Sequence, residues 1–175
     1  MNRQNAACLD ELRLQELEVL SFILPLSRDY PGIEKWFLKK VAPGMRDGSR
    51  FILPVHRYGK IVAVGIAKND GLEKKICTVR VAPTFEGRGL GVRVFDGLLR
   101  WLNTDRPSLT VSERNLSKYS RLFDYYGFME TSATRGVYLP HSLEHGFNES
   151  LKSRLSISRE AGGIVYPLQT KLKAD

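Results

Sequence analysis

Three glycines alternate with other residues in Val81-Ala82-Pro83-Thr84-Phe85-Glu86-Gly87-Arg88-Gly89-Leu90-Gly91, a stretch that leaves a β-type run and enters a helical one. Glycine lets backbone amides approach a ligand with no Cβ in the way, and it accepts positive φ. The first amides of a helix have no acceptor inside the helix and sit at the positive end of its dipole. Together these features make a site for phosphate, and Arg88 and Arg93 add charge nearby. Two common nucleotide motifs fit badly. A P-loop needs Lys-Ser/Thr after its last glycine, where this chain has Val92-Arg93. A dinucleotide fingerprint needs G-x-G-x-x-G early in a βαβ unit, where this chain has glycines at 87, 89 and 91 after antiparallel strands.

The elements around this loop follow from periodicity. Leu14 to Phe22 reads as a first strand. A helix then has Asp29 as its cap and Pro31 in its first turn; Tyr30, Ile33, Trp36, Phe37 and Lys40 share one face, and it stops before Pro43-Gly44. Three β-type runs follow, Arg50 to Arg57, Ile61 to Lys68 and Lys75 to Ala82, joined by turns at Tyr58-Gly59-Lys60 and from Asn69-Asp70-Gly71. Antiparallel pairing is expected, and Pro54 puts the first run at an edge or a bulge. After the loop, Leu90, Val94, Leu98 and Trp101, with Phe95, Leu99 and Leu102, recur at helical spacing as far as Asn103. Ser108 to Ser112 reads as a short buried strand. A second helix carries Tyr119, Leu122, Phe123 and Tyr126 on one stripe and ends at Gly127. One or two strands follow Phe128, and Gly163 to Leu168 reads as a last one. The order β, α, β, β, β, α, β, α, β predicts a mixed α/β sheet with helices on its faces.

One known pattern fits the loop. The segment resembles motif A of the GNAT superfamily of N-acetyltransferases, V-x-P-x-x-R/Q-G-x-G-x-G, which binds the pyrophosphate of acetyl-CoA. Val81, Pro83, Gly87, Gly89 and Gly91 fall in register. Downstream, Leu109-Thr-Val-Ser-Glu-Arg-Asn115 and a helix closing with Tyr126-Gly127-Phe128 resemble the family's strand, asparagine and terminal Gly-Phe. The resemblance covers roughly residues 50 to 130. It implies a GNAT fold: a central, mostly antiparallel twisted sheet of six to seven strands, splayed between the fourth and fifth and flanked by helices. Residues 1–12 are then a loose arm and residues 13–175 a single N-acetyltransferase domain.

The resemblance also implies roles. The pantetheine arm of acetyl-CoA should meet the main chain of Val79, Arg80 and Val81. The amides from Glu86 or Gly87 through Arg88, Gly89, Leu90, Gly91 and Val92 should hold the pyrophosphate. Asn115 matches a position that contacts the pantetheine or adenosine side, and Phe123 belongs to the cofactor-facing set. Three residues depart from the pattern. Glu86 stands where the family has Arg or Gln, and a carboxylate there should weaken binding. The tyrosine that protonates the departing thiolate falls at Phe123 or Leu122, leaving Tyr119 one turn upstream, or Tyr126 one turn downstream, as substitutes. The carboxylate of histone-acetylating members aligns with Lys75, so Glu113 is the expected base, with His56 behind it. Each has a plain structural reading: packed tyrosines with exposed hydroxyls, and an exposed carboxylate beside Arg114.

The reaction implied is direct attack of a primary amine on the thioester of acetyl-CoA, the co-substrate, with no metal. Two alternatives remain. One is a catalytically weak GNAT-fold module that binds acyl-CoA and regulates a partner. The other is toxin-like acetylation of aminoacyl-tRNA, favoured by a formal net charge of +8. Its cations would be Lys35, Lys39, Lys40, Arg46 and Arg50, with Lys74, Lys75, Lys152, Arg154, Lys171 and Lys173 elsewhere. Tyr30, Trp36, Tyr138 and His141 are candidates to line an acceptor site, and a homodimer fits the family.

The remaining sequence sets bounds. At 175 residues, one domain is expected rather than two. The longest apolar run, Val19 to Leu26, is broken by Ser21 and Pro25 and falls far short of the roughly 20 residues that cross a bilayer. Acidic residues interrupt the N-terminal region, so no cleavable signal is expected and a cytoplasmic protein is. Cys8 and Cys77 make no disulfide framework and are read as reduced; Cys77, within a strand, reads as a buried thiol with no activating base beside it.

Overall fold

The computed structural model describes residues 13–150 and the backbone of residues 164–166. The chain divides into two compact units, Met1–Pro107 and Ser108–Asp175. The first carries helix α1 (Leu14–Ile23), a 3₁₀ turn (Leu24–Arg28), an irregular helical run from Ile33 to Asp47, strands β1 (Arg50–Arg57), β2 (Lys60–Asn69) and β3 (Lys74–Val81), and helix α4 (Leu90–Leu102). The second carries β4 (Leu109–Ser112), α5 (Glu113–Tyr126), β5 (Glu130–Arg135), β6 (Leu143–Phe147) and β7 (Ile164–Tyr166). The mixed α/β class is as expected. Its hydrogen-bonded strands form two sheets, one in the order β1-β2-β3 and one in the order β4-β6-β5-β7, all paired antiparallel.

Leu14 to Phe22 is a helix, not the expected strand. Glu16, Val19, Leu20 and Ile23 recur at helical spacing and are buried. The side chain of Glu16 closes the start, its Oε2 accepting from the Arg13 amide at 3.0 Å. The segment is rich in Leu and Glu, and that preference for helix prevails over its mixed pattern.

The helical run after it also differs from expectation. Gly32, not Asp29, is the N-cap at its start, and Asp29 terminates the preceding 3₁₀ turn. Nor does the run stop before Pro43. Helix α2 (Ile33–Trp36) passes into a π-helical turn (Phe37–Val41), where the Ala42 amide reaches back five residues to Phe37 O, and then into α3 (Ala42–Asp47). The change of register makes Pro43 an opening residue of α3, where a missing N–H costs little.

The three-stranded sheet is covered on both faces, and β2 accordingly reads as a nearly continuous apolar run. Val64, Ile66 and Ile52 meet Val19, Leu20 and Ile23 of α1 and Phe37, Leu38 and Val41 of the helical run. On the other face, α4 buries Leu90, Val94, Phe95, Leu98 and Leu102, and Trp101 stacks on Phe51 with ring centroids 5.2 Å apart.

Both hairpins follow their turn chemistry. Tyr58 and Gly59 have φ of 52° and 71°, the paired positive values of a tight type I′ connection. β1 lies at the edge of its sheet with a bulge at Val55/His56, next to Pro54. At the second turn Asp70 Oδ1 accepts from the Leu72 and Glu73 amides, and Lys68 Nζ lies 2.8 Å from Asp70 and 3.1 Å from Glu73.

Candidate functional site

The glycine segment joins β3 to α4 through a 3₁₀ turn, Pro83–Phe85. The Ala82 amide still donates to Val62 O (2.8 Å), and the Phe85 and Glu86 amides close the turn on Ala82 O and Pro83 O, the latter at 3.3 Å. Gly87 and Gly89 take φ of 71° and 74°, values at which a side chain is strained, and Gly89 is the N-cap of α4 with no side-chain cap. The Arg93 amide donates to Gly89 O at 3.1 Å. A Cβ added at Gly87, Gly89 or Gly91 meets no atom within 4 Å. The result is a run of backbone at a helix N-terminus, bare of side chains on the side these glycines face.

Charge around the loop is mixed. Glu86 is exposed, and its backbone is extended as it leaves the 3₁₀ turn. The Arg88 guanidinium lies over the Phe85 ring, 5.5 Å from its centroid.

The strand entering this loop is an edge strand of its sheet. Ala82 donates toward β2, so strand alternation puts the main-chain groups of Val79 and Val81 on the side away from β2 and those of Arg80 toward it. A bulge interrupts the pairing: Ile66 faces Thr78 but Ala67 faces Ile76, leaving Cys77 as the extra residue. Cys77 is half-buried rather than fully buried, with Arg50 Nη1 3.1 Å from its Sγ. Burial pushes the thiol above its ordinary pKa of 9.0, against the pull of Arg50 and Lys75. The Arg80 guanidinium lies 4.6 Å from the centroid of the Phe22 ring of α1.

In the second unit, Glu113 opens α5 rather than ending the strand before it, and it is exposed. Ser112 is the N-cap, and Asn115 Nδ2 donates to its Oγ at 2.9 Å. Phe123 is 4% exposed and packs among Phe128, Phe147 and Tyr119, the last at a centroid distance of 5.9 Å. Tyr126 stacks on Phe128. Gly127, with φ of 64°, ends the helix as expected.

Of the acceptor candidates, Tyr30 and Trp36 pack against the first unit's core. Tyr138 is exposed, and His141 offers its carbonyl to Arg135. His56 is exposed at the β1 bulge. Among the expected cations, Lys35, Lys39 and Lys40 are exposed, Arg46 pairs with Glu16 at 3.2 Å and Lys74 donates to Asn103 O. Cys8, Lys152, Arg154, Lys171 and Lys173 lie outside the described residues.

Sequence reasoning missed a polar pair on the second sheet. His145 Nδ1 lies 2.6 Å from Glu130 Oε1, and His145 Nε2 is buried without a hydrogen-bond partner. The two residues are brought together by the β5–β6 register, which no local pattern announces. Among the described residues no group of His, Cys, Asp and Glu could hold a metal, and no helix is long and apolar enough to cross a membrane.

No family model matches the chain, and no curated protein matches it in sequence. Solved structures do match in fold. A structure from Desulfovibrio desulfuricans assigned to the GNAT family of acetyltransferases is similar with a TM-score of 0.62 at 12% identity, over 78% of this chain and 92% of that one. A GNAT-family acetyltransferase from Streptococcus pneumoniae gives 0.55 at 16% identity, over 75% and 91%. An aminoglycoside 6'-N-acetyltransferase complexed with coenzyme A gives 0.53 at 10% identity, over 76% and 87%. At such identities the likeness is one of fold.

Proposed function

We propose, for a chain that carries the fold of GNAT-family acetyltransferases, that it transfers an acetyl group from acetyl-CoA to a primary amine. The observation that supports this most is the start of α4, with Gly89 at its N-cap and open space beside Gly87, Gly89 and Gly91, shortly after an edge strand. Amides at a helix N-terminus favour a pyrophosphate. An edge strand offers main-chain groups that an extended, amide-bearing arm can pair with. Coenzyme A has both parts. On this reading Gly87 through Val92 hold the pyrophosphate, and Val79 and Val81, rather than Arg80, whose main chain faces β2, meet the pantetheine arm.

Chemistry then needs proximity and a neutral amine. The amine nitrogen attacks the thioester carbon, and a main-chain N–H of β3, at or near Val79, stabilises the developing oxyanion. The carbon–sulfur bond breaks as the amide bond forms. Glu113 takes the proton lost from nitrogen, directly or through water, and Tyr119 gives its phenolic proton to the thiolate. Asn115, whose Nδ2 donates to Ser112 Oγ, and Phe123 are the further cofactor-facing residues that the resemblance implies.

A thiol-release assay across a panel of primary amines tests this reading. Turnover that falls about 100-fold or more in Glu113→Gln, with acetyl-CoA affinity kept, supports it. Phe123 favours a second reading: the resemblance puts the family's acid at Phe123 or Leu122, both apolar, and Phe123 packs in an aromatic cluster. A regulatory acyl-CoA-binding module would bind acetyl-CoA and turn over none of the amines.

A further inference from the structure

Three cations stand in one row across the first sheet. Arg50 of β1 faces Lys68 of β2, and Lys68 faces Lys75 of β3. Directly opposed residues share a face, and Arg50 and Lys68 lie two positions from Ile52 and Ile66, which meet α1. The row therefore lies on the α1 side of the sheet. Lys68 is answered by Asp70 at 2.8 Å and Glu73 at 3.1 Å. Among the described residues, Arg50 and Lys75 have no ion pair. Asp47 feels the field of Arg50, but its carboxylate accepts from the Ser49 amide at 2.8 Å. The Arg50 side chain is fixed at both ends. Gly44 of α3 sits on its stem, where a Cβ would collide with Arg50 Cγ, and Nη1 reaches across β2 to lie 3.1 Å from Cys77 Sγ. Burial holds that thiol above its ordinary pKa of 9.0, so it is neutral at neutral pH and only a weak acceptor. The Lys75 ammonium acts on the same sulfur.

We propose that Arg50 and Lys75 bind a carboxylate of the acceptor, so that the substrate is a primary amine that also carries an acid group. The inference rests on the transferase reading, in which the thioester meets Val79 of the same strand. A planar guanidinium matches a carboxylate with two parallel hydrogen bonds, and Cys77 gives way to that stronger acceptor. With Asp70 and Glu73 included, the row holds three cations against two carboxylates. One net positive charge suits a carboxylate better than a phosphate monoester, which carries nearly two negative charges. Arg50, Lys68, Lys75 and Cys77 are all half-buried, which admits a small molecule more readily than a polymer. Cys77 precedes Val79 by two residues, so an anion at Arg50 stands roughly 6–7 Å along the strand from an amine at the thioester. An α-amino acid holds its two groups on one carbon and is too short for that span. An ω-amino acid of the length of δ-aminovalerate fits it.

Thiol release by the full chain from acetyl-CoA, with δ-aminovalerate, with pentylamine (the same chain without the acid) and with glycine, tests the proposal. kcat/KM for δ-aminovalerate should exceed that for either other amine by at least about tenfold. Arg50→Gln should raise the KM for δ-aminovalerate about 10- to 100-fold and leave that for pentylamine unchanged. Lys75→Gln, which leaves the Arg50 stem in place, should raise it several-fold. Gly44→Ala keeps every charge and displaces only that stem, and it should reproduce part of the Arg50→Gln effect with pentylamine again unchanged. Calorimetric titration of valerate, which has the acid and no amine, into protein saturated with desulfo-CoA reads the site apart from the chemistry. The parent should bind valerate and Arg50→Gln should not. Equal kcat/KM for δ-aminovalerate and pentylamine, variants that slow both amines alike, no valerate binding by the parent, or valerate binding that survives Arg50→Gln would each overturn the proposal. Turnover of none of the amines would instead count against the transferase reading, and the valerate titration would still decide whether Arg50 holds a carboxylate.

Discussion

Gly65 of β2 lies directly under Val94 of α4: a Cβ on Gly65 would come 2.5 Å from Val94 Cγ1 and 2.9 Å from Leu98 Cδ1. The absent side chain lets α4 seat closely on the sheet, and the N-terminus of that helix is the candidate phosphate site. Gly97 does the same from the helix side, where a Cβ would collide with Leu53. Position and binding are thus coupled through packing, since a core this dense shifts rather than compresses.

Gly65→Val should therefore destabilise the protein by about 1–3 kcal/mol, the usual cost of overpacking. It should also weaken acetyl-CoA binding, although Gly65 is not among the expected cofactor contacts. Urea denaturation beside a binding titration checks both. A destabilised variant with unaltered affinity would mean that α4 does not need this seat to bind.

Glu86 bears on affinity by charge. The residue is exposed, and its amide is engaged by Pro83 O. Glu86→Gln should tighten acetyl-CoA binding several-fold and Glu86→Arg more, with the gain shrinking as salt rises. Equal affinities at low salt would show that the carboxylate lies outside the field of the bound pyrophosphate.

The Lys68–Asp70–Glu73 cluster predicts a pH dependence. Burial pushes the Asp70 carboxyl up, but Lys68 and the Glu73 and Leu72 amides outweigh it and hold the group below its ordinary 3.8. The stability it contributes is complete above 3.8 and is lost as pH falls through the lower folded value. Burial likewise pulls Lys68 down, yet its bonds to Asp70 and Glu73 leave it above 10.5, so its share is complete below 10.5 and disappears as pH rises through the folded value. Asp70→Asn should cost about 0.5–1 kcal/mol at pH 7 in urea denaturation. That difference should shrink as pH is lowered below 3.8.

Cys77 should be a slow thiol. In a Cys8→Ser background, modification by a disulfide reagent at pH 8 should be far slower than that of glutathione and should become fast in denaturant. Rapid labelling of the folded protein would mean that Arg50 outweighs burial.

Much of the first unit was legible because local chemistry and global fold agree there. Tyr58-Gly59 could only be a tight turn, and the alternation of β1 to β3 and the 3.6-residue period of α4 point the same way. The glycine loop was legible for a related reason: it constrains the backbone itself, which sequence reports directly. Residues 14–22 misled because Leu and Val serve a buried helix face as well as a strand. Pro43 misled because a π turn, invisible in composition, absorbs it. The His145–Glu130 pair and the packing of Phe123 depend on which strands and rings meet across many residues, and no single-residue signal carries that.

Calorimetric titration of acetyl-CoA into the protein, beside desulfo-CoA and ATP, tests the central claim most directly. Micromolar binding of acetyl-CoA is predicted, lost in Gly89→Val but kept in Gly59→Val, which places the same strain at a hairpin away from the loop. No detectable binding by the parent protein, or equal loss in both variants, would contradict the assignment of the α4 N-terminus as the coenzyme site.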